Sequence, residues 1–482
     1  MIYAITISLV VLVLCSVAVL KARGVKDRAD FLVAGRTLAW PVLIFTLLSS
    51  WIGAGSLLAG AENAYRNGFA ALWQPAGGWI GLIVIAVIAG RARTFAQFTV
   101  PDLLEIRFNS TARVLATIAI VISYTVITSY QFIGGGDILH LIFPELPRGL
   151  SMCIIAAFVT LFTAAAGMAS IAYLDLFIGS MVTLTVIIAV PVLLQRSGGW
   201  GVVRASLPQT HFQPLGNLDF LQALQLLLPT MLLLIGNQGM YQKFFSAKSE
   251  RDARIAVYGW IVGTVVLETL LMAFAVIASA TLRTDSPREI IPIAARRALP
   301  PLLGAILLGG VFAKVISTAN NFLFSPATNL IHDVYERFIN RNATQRQTLL
   351  VSRLVVVALG GFALLQATQF KSILDASLYA YTVYGAAVTP VVLTVFFWKR
   401  ATKEAAVASI LLSTIVTVGW KLVQQHAPNI LPLGGRLDAI YPALFVSLAS
   451  LLVVSLFTHN RSSNDPQLSR LTESSDTKLE PL

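Results

Sequence analysis

Lys314 lies in the middle of a long apolar run, PLLGAILLGGVFAKVISTANNFLFSPATNLI, three residues before Ser317 and four before Thr318. A lysine at the centre of a membrane-spanning helix costs roughly 2.5 to 3.5 kcal/mol on insertion scales, so it faces a polar cavity, a partner carboxylate or a transport pathway. Positions i, i+3 and i+4 share one helix face, which sets the ammonium stem and both hydroxyls over the same spot. An ammonium beside two hydroxyls can pair with a buried anion, exchange a proton, or stand where a small cation would bind.

Two other segments put polar groups at bilayer depth. Ser49-Ser50-Trp51-Ile52-Gly53-Ala54-Gly55-Ser56 carries glycines and hydroxyls where a lipid-facing helix would carry Leu or Val, and Leu234-Ile235-Gly236-Asn237-Gln238-Gly239 repeats the theme with an amide pair. Taken singly, such glycines equally serve close helix packing. Interruptions at corresponding positions of two five-helix halves, however, point to an inverted-repeat transporter with a midplane site. Carbonyls freed at a break can hold a cation, and freed N–H groups an anion.

The elements that must position these groups are membrane helices. The chain has 482 residues, 56% hydrophobic and 12% charged, with a mean hydropathy of +0.76. Apolar runs long enough to cross about 30 Å of hydrocarbon recur from end to end, about thirteen in all. They begin at 2–21, 37–65, 70–90, 112–143, 149–168 and 171–194, and continue at 219–243, 255–281, 299–330, 348–368, 373–398, 404–424 and 438–457. The first is read as a retained helix, since no basic residue precedes it and Lys21, Arg23, Lys26 and Arg28 follow it. Basic residues fall on every second connection: Arg91, Arg93, Arg107 and Arg113, then Lys243, Lys248, Arg251 and Arg254, then Arg337, Arg341, Arg346 and Arg353, and last Lys399, Arg400 and Lys403. The positive-inside rule then sets the N-terminus outside and the C-terminus in the cytoplasm of a multi-pass cell-membrane protein. The net charge of +12 is therefore orientation signal and lipid contact, with no nucleic-acid partner expected. Cys15 and Cys153, without CxxC spacing, are read as packing residues, and the polar tail from His459 as disordered.

Several motifs in order resemble the sodium:solute symporters, a family whose members carry sugars, proline, pantothenate, carboxylates, iodide or urea. Asp30-Phe31-Leu32-Val33-Ala34-Gly35-Arg36 is similar to the segment before the family's first core helix, and Ser50-Trp51-Ile52-Gly53-Ala54-Gly55 to the break in that helix. Asn237-Gln238, Tyr241-Gln242-Lys243 and Ala247-Lys248-Ser249 resemble its sixth-helix signature, Ser317-Thr318 and Asp333-Val334-Tyr335 its eighth helix, and Phe397-Trp398-Lys399-Arg400 the end of its tenth. The resemblance implies an all-α integral membrane fold of the leucine-transporter type, with broken first and sixth core helices. Its division would be an extra helix and loop in 1–36, inverted repeats in 37–195 and 196–400, two peripheral helices in 401–458 and the tail in 459–482. It also implies a sodium site whose ligands fall on Ser49, Ile52, Lys314, Ser317 and Thr318.

Lys314 departs from the family pattern, which has a small residue there. Two unit charges about 4 Å apart repel by roughly 4 kcal/mol at an effective dielectric of 20, around a thousandfold in affinity. The ammonium therefore replaces sodium, exchanges a proton with each cycle, or points away and leaves sodium in place. Asp175, which matches a family aspartate on the sodium path, is the expected ion-pair partner, with Glu62 second; Asp137 is expected to be a solvated vestibule residue. For a small polar solute, the matched positions are Trp51, Ser56, Asn237 and Gln238, with Gln74 and Gln131 from neighbouring helices and Tyr379, Tyr381 and Tyr384 as gate or stacking surface. Ser56 stands where sugar carriers have His or Gln, which disfavours a hexose.

The expected function is secondary active transport by alternating access, coupled to sodium or a proton, with sodium the one candidate ion and no cofactor. A transporter-like solute sensor and a sodium-independent facilitator or exchanger are the alternatives. An enzyme is disfavoured: the chain has no H-E-x-x-H, G-x-S-x-G or P-loop, and only five His.

Overall fold

Hydrophobic runs with no polar period can only satisfy their backbone inside a membrane as helices. In the computed structural model, which describes residues 2–22, 34–94, 99–165, 168–370, 372–432 and 437–462, helices account for all regular structure apart from one isolated bridge between Leu38 and Ala247. The first half contains α1 (Ile2–Ala22), α2 (Trp40–Trp51), a π-helical turn (Gly55–Gly60), α3 (Ala61–Asn67), α4 (Trp73–Thr94), α5 (Val100–Arg107), α6 (Ser110–Ile142), α7 (Arg148–Ala165) and α8 (Met168–Arg196). A short α9 (Trp200–Ser206) leads to α10 (Phe220–Gly236), α11 (Gln238–Ser246), α12 (Glu250–Thr281), α13 (Ile290–Arg297) and α14 (Pro301–Asn329). The chain finishes with α15 (Gln345–Ala367), α16 (Ile373–Ala387), α17 (Thr389–Phe397), α18 (Lys403–His426) and α19 (Ile440–Ser462).

Among the described residues, eleven helical stretches are long and apolar enough to span a membrane, and two shorter apolar helices cover Ile2–Ser16 and Trp40–Trp51. The expected span 37–65 is not one helix. It divides into α2, the π-helical turn and α3, and the part after the break runs on toward α4 within the stretch Gly55–Ala89. The Asp30–Arg36 motif begins outside the described residues, as do Lys26 and Arg28 and the expected disordered tail from 463 onward.

Helix α14 is the hub. Its apolar window is 83% buried, against 28% for those of α18 and α19, and it packs on α1, α6 and α8. Broken α2 lies against α8 and α12, while α10 lies against α4 and α16. The outer helices present Leu9, Leu12, Phe445, Leu456 and Phe457 outward, as a lipid-facing surface requires. Cys15 and Cys153 are also exposed, not packed inside. An apolar neighbourhood in sequence does not mean interior when the solvent is lipid.

Helix α6 carries an ion network near each end. Near its start, Arg113 is buried and pairs with Asp102 and Glu105 of α5 and with Asp333 beyond α14, the Asp333 contact at 2.6 Å. Thr99 donates to the same Asp333 at 2.9 Å, and His332 meets Asp102 at 2.8 Å. Near its end, Asp137 joins Arg148 at 2.7 Å and Arg288 at 3.0 Å, and Arg148 also holds Glu289 at 2.7 Å. Two expectations change here. Arg113 is not a loop charge, and Asp137, only 4% exposed, is not solvated: each is enclosed because several partners from other elements converge on it. The 24 positions between them correspond to roughly 36 Å of helix, about a membrane's thickness.

Removing one member of a buried charge network leaves the others unpaired. Arg113→Ala is expected to lower stability by about 3–5 kcal/mol, read as thermal unfolding of the purified protein in detergent. An unchanged unfolding midpoint would show that this network carries no stability.

Candidate functional site

Both interrupted helices break where glycines and polar residues cluster in the sequence. Helix α2 stops at Ile52, whose backbone is extended (φ −88°, ψ 98°). Helix α10 stops at Asn237 (φ −56°, ψ 110°), which then caps α11 by accepting from the Met240 N–H at 3.3 Å. Groups freed at the first break are met from two sides. Gln131 of α6 accepts from the Ala54 N–H at 2.8 Å. The Thr318 hydroxyl of α14 lies within donating distance of three carbonyls, Ser49 at 2.9 Å, Ile52 at 3.3 Å and Lys314 at 2.9 Å. At the second break, Tyr384 donates to the Gly236 carbonyl and Tyr124 donates to Asn237 at 2.9 Å.

One hydroxyl proton cannot satisfy three carbonyls, so the cluster around Thr318 has oxygen capacity to spare. That is the chemistry of a small hard cation. Its close approach depends on Gly53, where an added Cβ would lie 2.6–2.8 Å from three Thr318 side-chain atoms.

The charges beside this cluster are arranged differently from the expected ion pair. Lys314 and Asp175 are both fully buried, yet Lys314 Nζ donates to Ser49 Oγ at 3.0 Å, and Ser49 Oγ donates to the Asp175 carbonyl at 3.2 Å. The Asp175 carboxylate takes Ser317, Thr46 at 2.6 Å and Asn321 at 3.2 Å. Ser317 therefore turns to Asp175 instead of to the carbonyl cluster. A second buried ammonium, Lys243, donates to Asn321 Oδ1 at 2.8 Å, and the Asn321 amide in turn donates to the same carboxylate. Lys243 belongs to the site and not to a solvated loop. Glu62 pairs with Arg66 on its own helix at 3.0 Å, since that partner is one turn away.

The expected solute residues separate into two groups. Trp51, Ser56, Gln74 and Tyr381 line a cavity of about 10 Å³, the room of about one water molecule, beside the first break. Trp51 and Tyr381 lie nearly parallel, with centroids 6.4 Å apart. Gln131, Asn237 and Tyr384 instead hold the breaks, and Gln238 accepts from the Val100 N–H at the start of α5. Tyr379 lies against Phe370.

Sequence reasoning missed the most polar group of the cavity, Glu268 of α12. It accepts from Trp51 Nε1 at 3.0 Å, Ser56 Oγ at 3.3 Å and Trp79 Nε1 at 2.9 Å. The signal was a lone charge in an apolar helix, the one that marks Lys314.

Interrupted helices facing a small polar cavity give the architecture of a secondary active membrane transporter. The chain belongs to the sodium:solute symporter family, whose sequence profile matches residues 31–413. It is 23% identical over 476 residues to a sodium/proline symporter of Staphylococcus aureus, across 94% of this chain and 92% of that one. In fold it is similar to a Na+-coupled sialic acid symporter solved substrate-bound and outward-open (TM-score 0.80, 15% identity, 95% of this chain and 98% of that chain). It is also similar to a nucleobase-cation-symport-1 family transporter in a closed conformation (TM-score 0.61, 12% identity, 92% and 98%).

A methyl group at position 53 would displace Thr318 from the three carbonyls. Gly53→Ala is expected to cost about 1–3 kcal/mol in thermal stability through overpacking. Gly361→Ala, where an added Cβ meets nothing within 4 Å, is the control expected to be neutral or slightly stabilising. Equal behaviour of the two variants would contradict the close packing at the break.

Proposed function

We propose that this chain moves a small polar solute by alternating access, with the Lys314 ammonium standing in for the family's coupling sodium ion. The observation that carries this reading is the Lys314 Nζ contact to Ser49 Oγ at 3.0 Å, which sets a cation beside a residue whose carbonyl belongs to the Thr318 cluster. Asp175 and two lysines share one buried region. One carboxylate against two ammoniums leaves an excess positive charge when all are ionised, and releasing a proton from a lysine removes it. Coupling then runs on a proton, or the lysine stays charged and transport is uncoupled from ions.

The retained carbonyl cluster at Thr318 favours a second reading, sodium symport of the kind that gives the family its name. Lys314 would then swing away from Ser49 when sodium enters. In either reading, residues 37–195 and 196–400 act as the inverted repeats and 401–458 as peripheral helices, in a cell-membrane protein with its N-terminus outside. The Arg113 and Asp137 networks would close the cytoplasmic and outer ends in turn.

Thermal shift of the purified protein with sodium or an inert cation, at several pH values, separates the readings. Wild type is expected to gain little stability from sodium and Lys314→Ala to gain it saturably, because the variant removes the like charge from the cluster. Strong, saturable sodium stabilisation of wild type would overturn the built-in cation. Asp175→Asn is expected to cost about 3–5 kcal/mol by leaving two buried ammoniums without a counter-charge; unchanged stability and uptake in that variant would remove Asp175 from the account.

A further inference from the structure

Glu268 is 2% exposed, in the middle of α12, at a depth where an ionisable group needs a reason. Its three hydrogen-bonding partners are two indole N–H groups and a hydroxyl. Indole is donor-only, so this set suits a carboxylate anion, which is acceptor-only. Among the described residues no lysine, arginine or histidine balances it; the groups acting on it are those three neutral donors. The cavity therefore holds a buried carboxyl with no protein cation beside it to balance its ionised form, walled by the stacked rings of Trp51 and Tyr381.

Two further observations bear on what enters. The Gln74 carbonyl oxygen, on the same cavity, is buried without a hydrogen-bond partner, so a second acceptor awaits a donor. Meanwhile three N–H groups near the breaks are already engaged, Ala54 with Gln131, Gly239 with Tyr124 and Met240 with Asn237.

We propose that the solute is an organic cation without a compensating carboxylate, whose protonated amine head, about the size of the one water the cavity has room for, is met by Glu268 and reaches Gln74 beside the Trp51 and Tyr381 rings. This rests on the transport reading above and names the substrate class of that site. Opposite charge supplies the attraction, the aromatic walls add cation–π stabilisation, and the two acceptors select a cation that carries N–H donors. A neutral sugar would bring no counter-charge to the buried carboxyl, and an anion would be repelled by its ionised form.

The test measures binding to the purified protein by thermal shift and isothermal titration with putrescine, agmatine, L-proline, D-glucose and L-lactate. Uptake of the same labelled solutes into proteoliposomes is measured separately. Putrescine or agmatine is expected to bind, L-proline, glucose and lactate not. Glu268→Gln is expected to weaken amine binding by about thirtyfold or more, while Glu268→Asp, which keeps the charge, retains the preference. Preferential binding of proline, glucose or lactate, binding of none of the five, or amine binding that Glu268→Gln leaves unchanged overturns the assignment. Amine binding without uptake sinks the transport reading and leaves the amine site standing. Uptake of proline, glucose or lactate that Glu268→Gln does not alter keeps transport and removes the amine site.

Discussion

A helix interrupted at bilayer depth exposes backbone groups that lipid cannot satisfy, and the rest of this structure is arranged around meeting them. At the first break the partners are Gln131 on the Ala54 N–H and Thr318 among the carbonyls of Ser49, Ile52 and Lys314. At the second they are Tyr384 on the Gly236 carbonyl and Tyr124 on Asn237. Helix α6 serves both breaks, and α14 approaches the first closely enough that Gly53 cannot carry a side chain without a shift. The same unmet polarity that threatens stability makes a binding site.

Charge follows the same logic. Lys243, Lys314 and Asp175 share one buried region, joined through Asn321 and Ser49 and not by direct ion pairs. Hydroxyl and amide intermediaries spread the charge over dipoles, which lowers the cost of burial and lets a partner be exchanged without breaking a tight contact. The Arg113 network is of the other kind, a guanidinium held by several carboxylates at once. Direct pairs thus lie near the ends of α6, and mediated contacts beside the first break.

Much of this was legible in the residues. Hydropathy showed a helical membrane protein, and the glycine-interrupted segments and ordered motifs pointed to broken helices and to the family. Lys314 stood out because a lone charge in an apolar run is costly wherever it faces. Glu268 obeys the same rule, and no family motif surrounds it to mark its role. Arg113 and Lys243 sit beside basic loops, so position alone assigned them to orientation when burial by distant partners decides their role. An amide near a break can serve either a ligand or the backbone, so the residue types of Gln131 and Gln238 leave both roles open.

The chain by itself determined that it spans a membrane, where its helices break, and which charges had to be buried, because those follow from the local cost of polarity in hydrocarbon. Only the tertiary structure decided which partner each buried group takes. Lys314 turns to Ser49 and not to the Asp175 carboxylate, Gln131 serves the backbone and not the cavity, and Glu268 meets Trp51, Ser56 and Trp79. Hydrogen bonds act over about 3 Å, and only folding brings residues 77 to 265 positions apart within that reach.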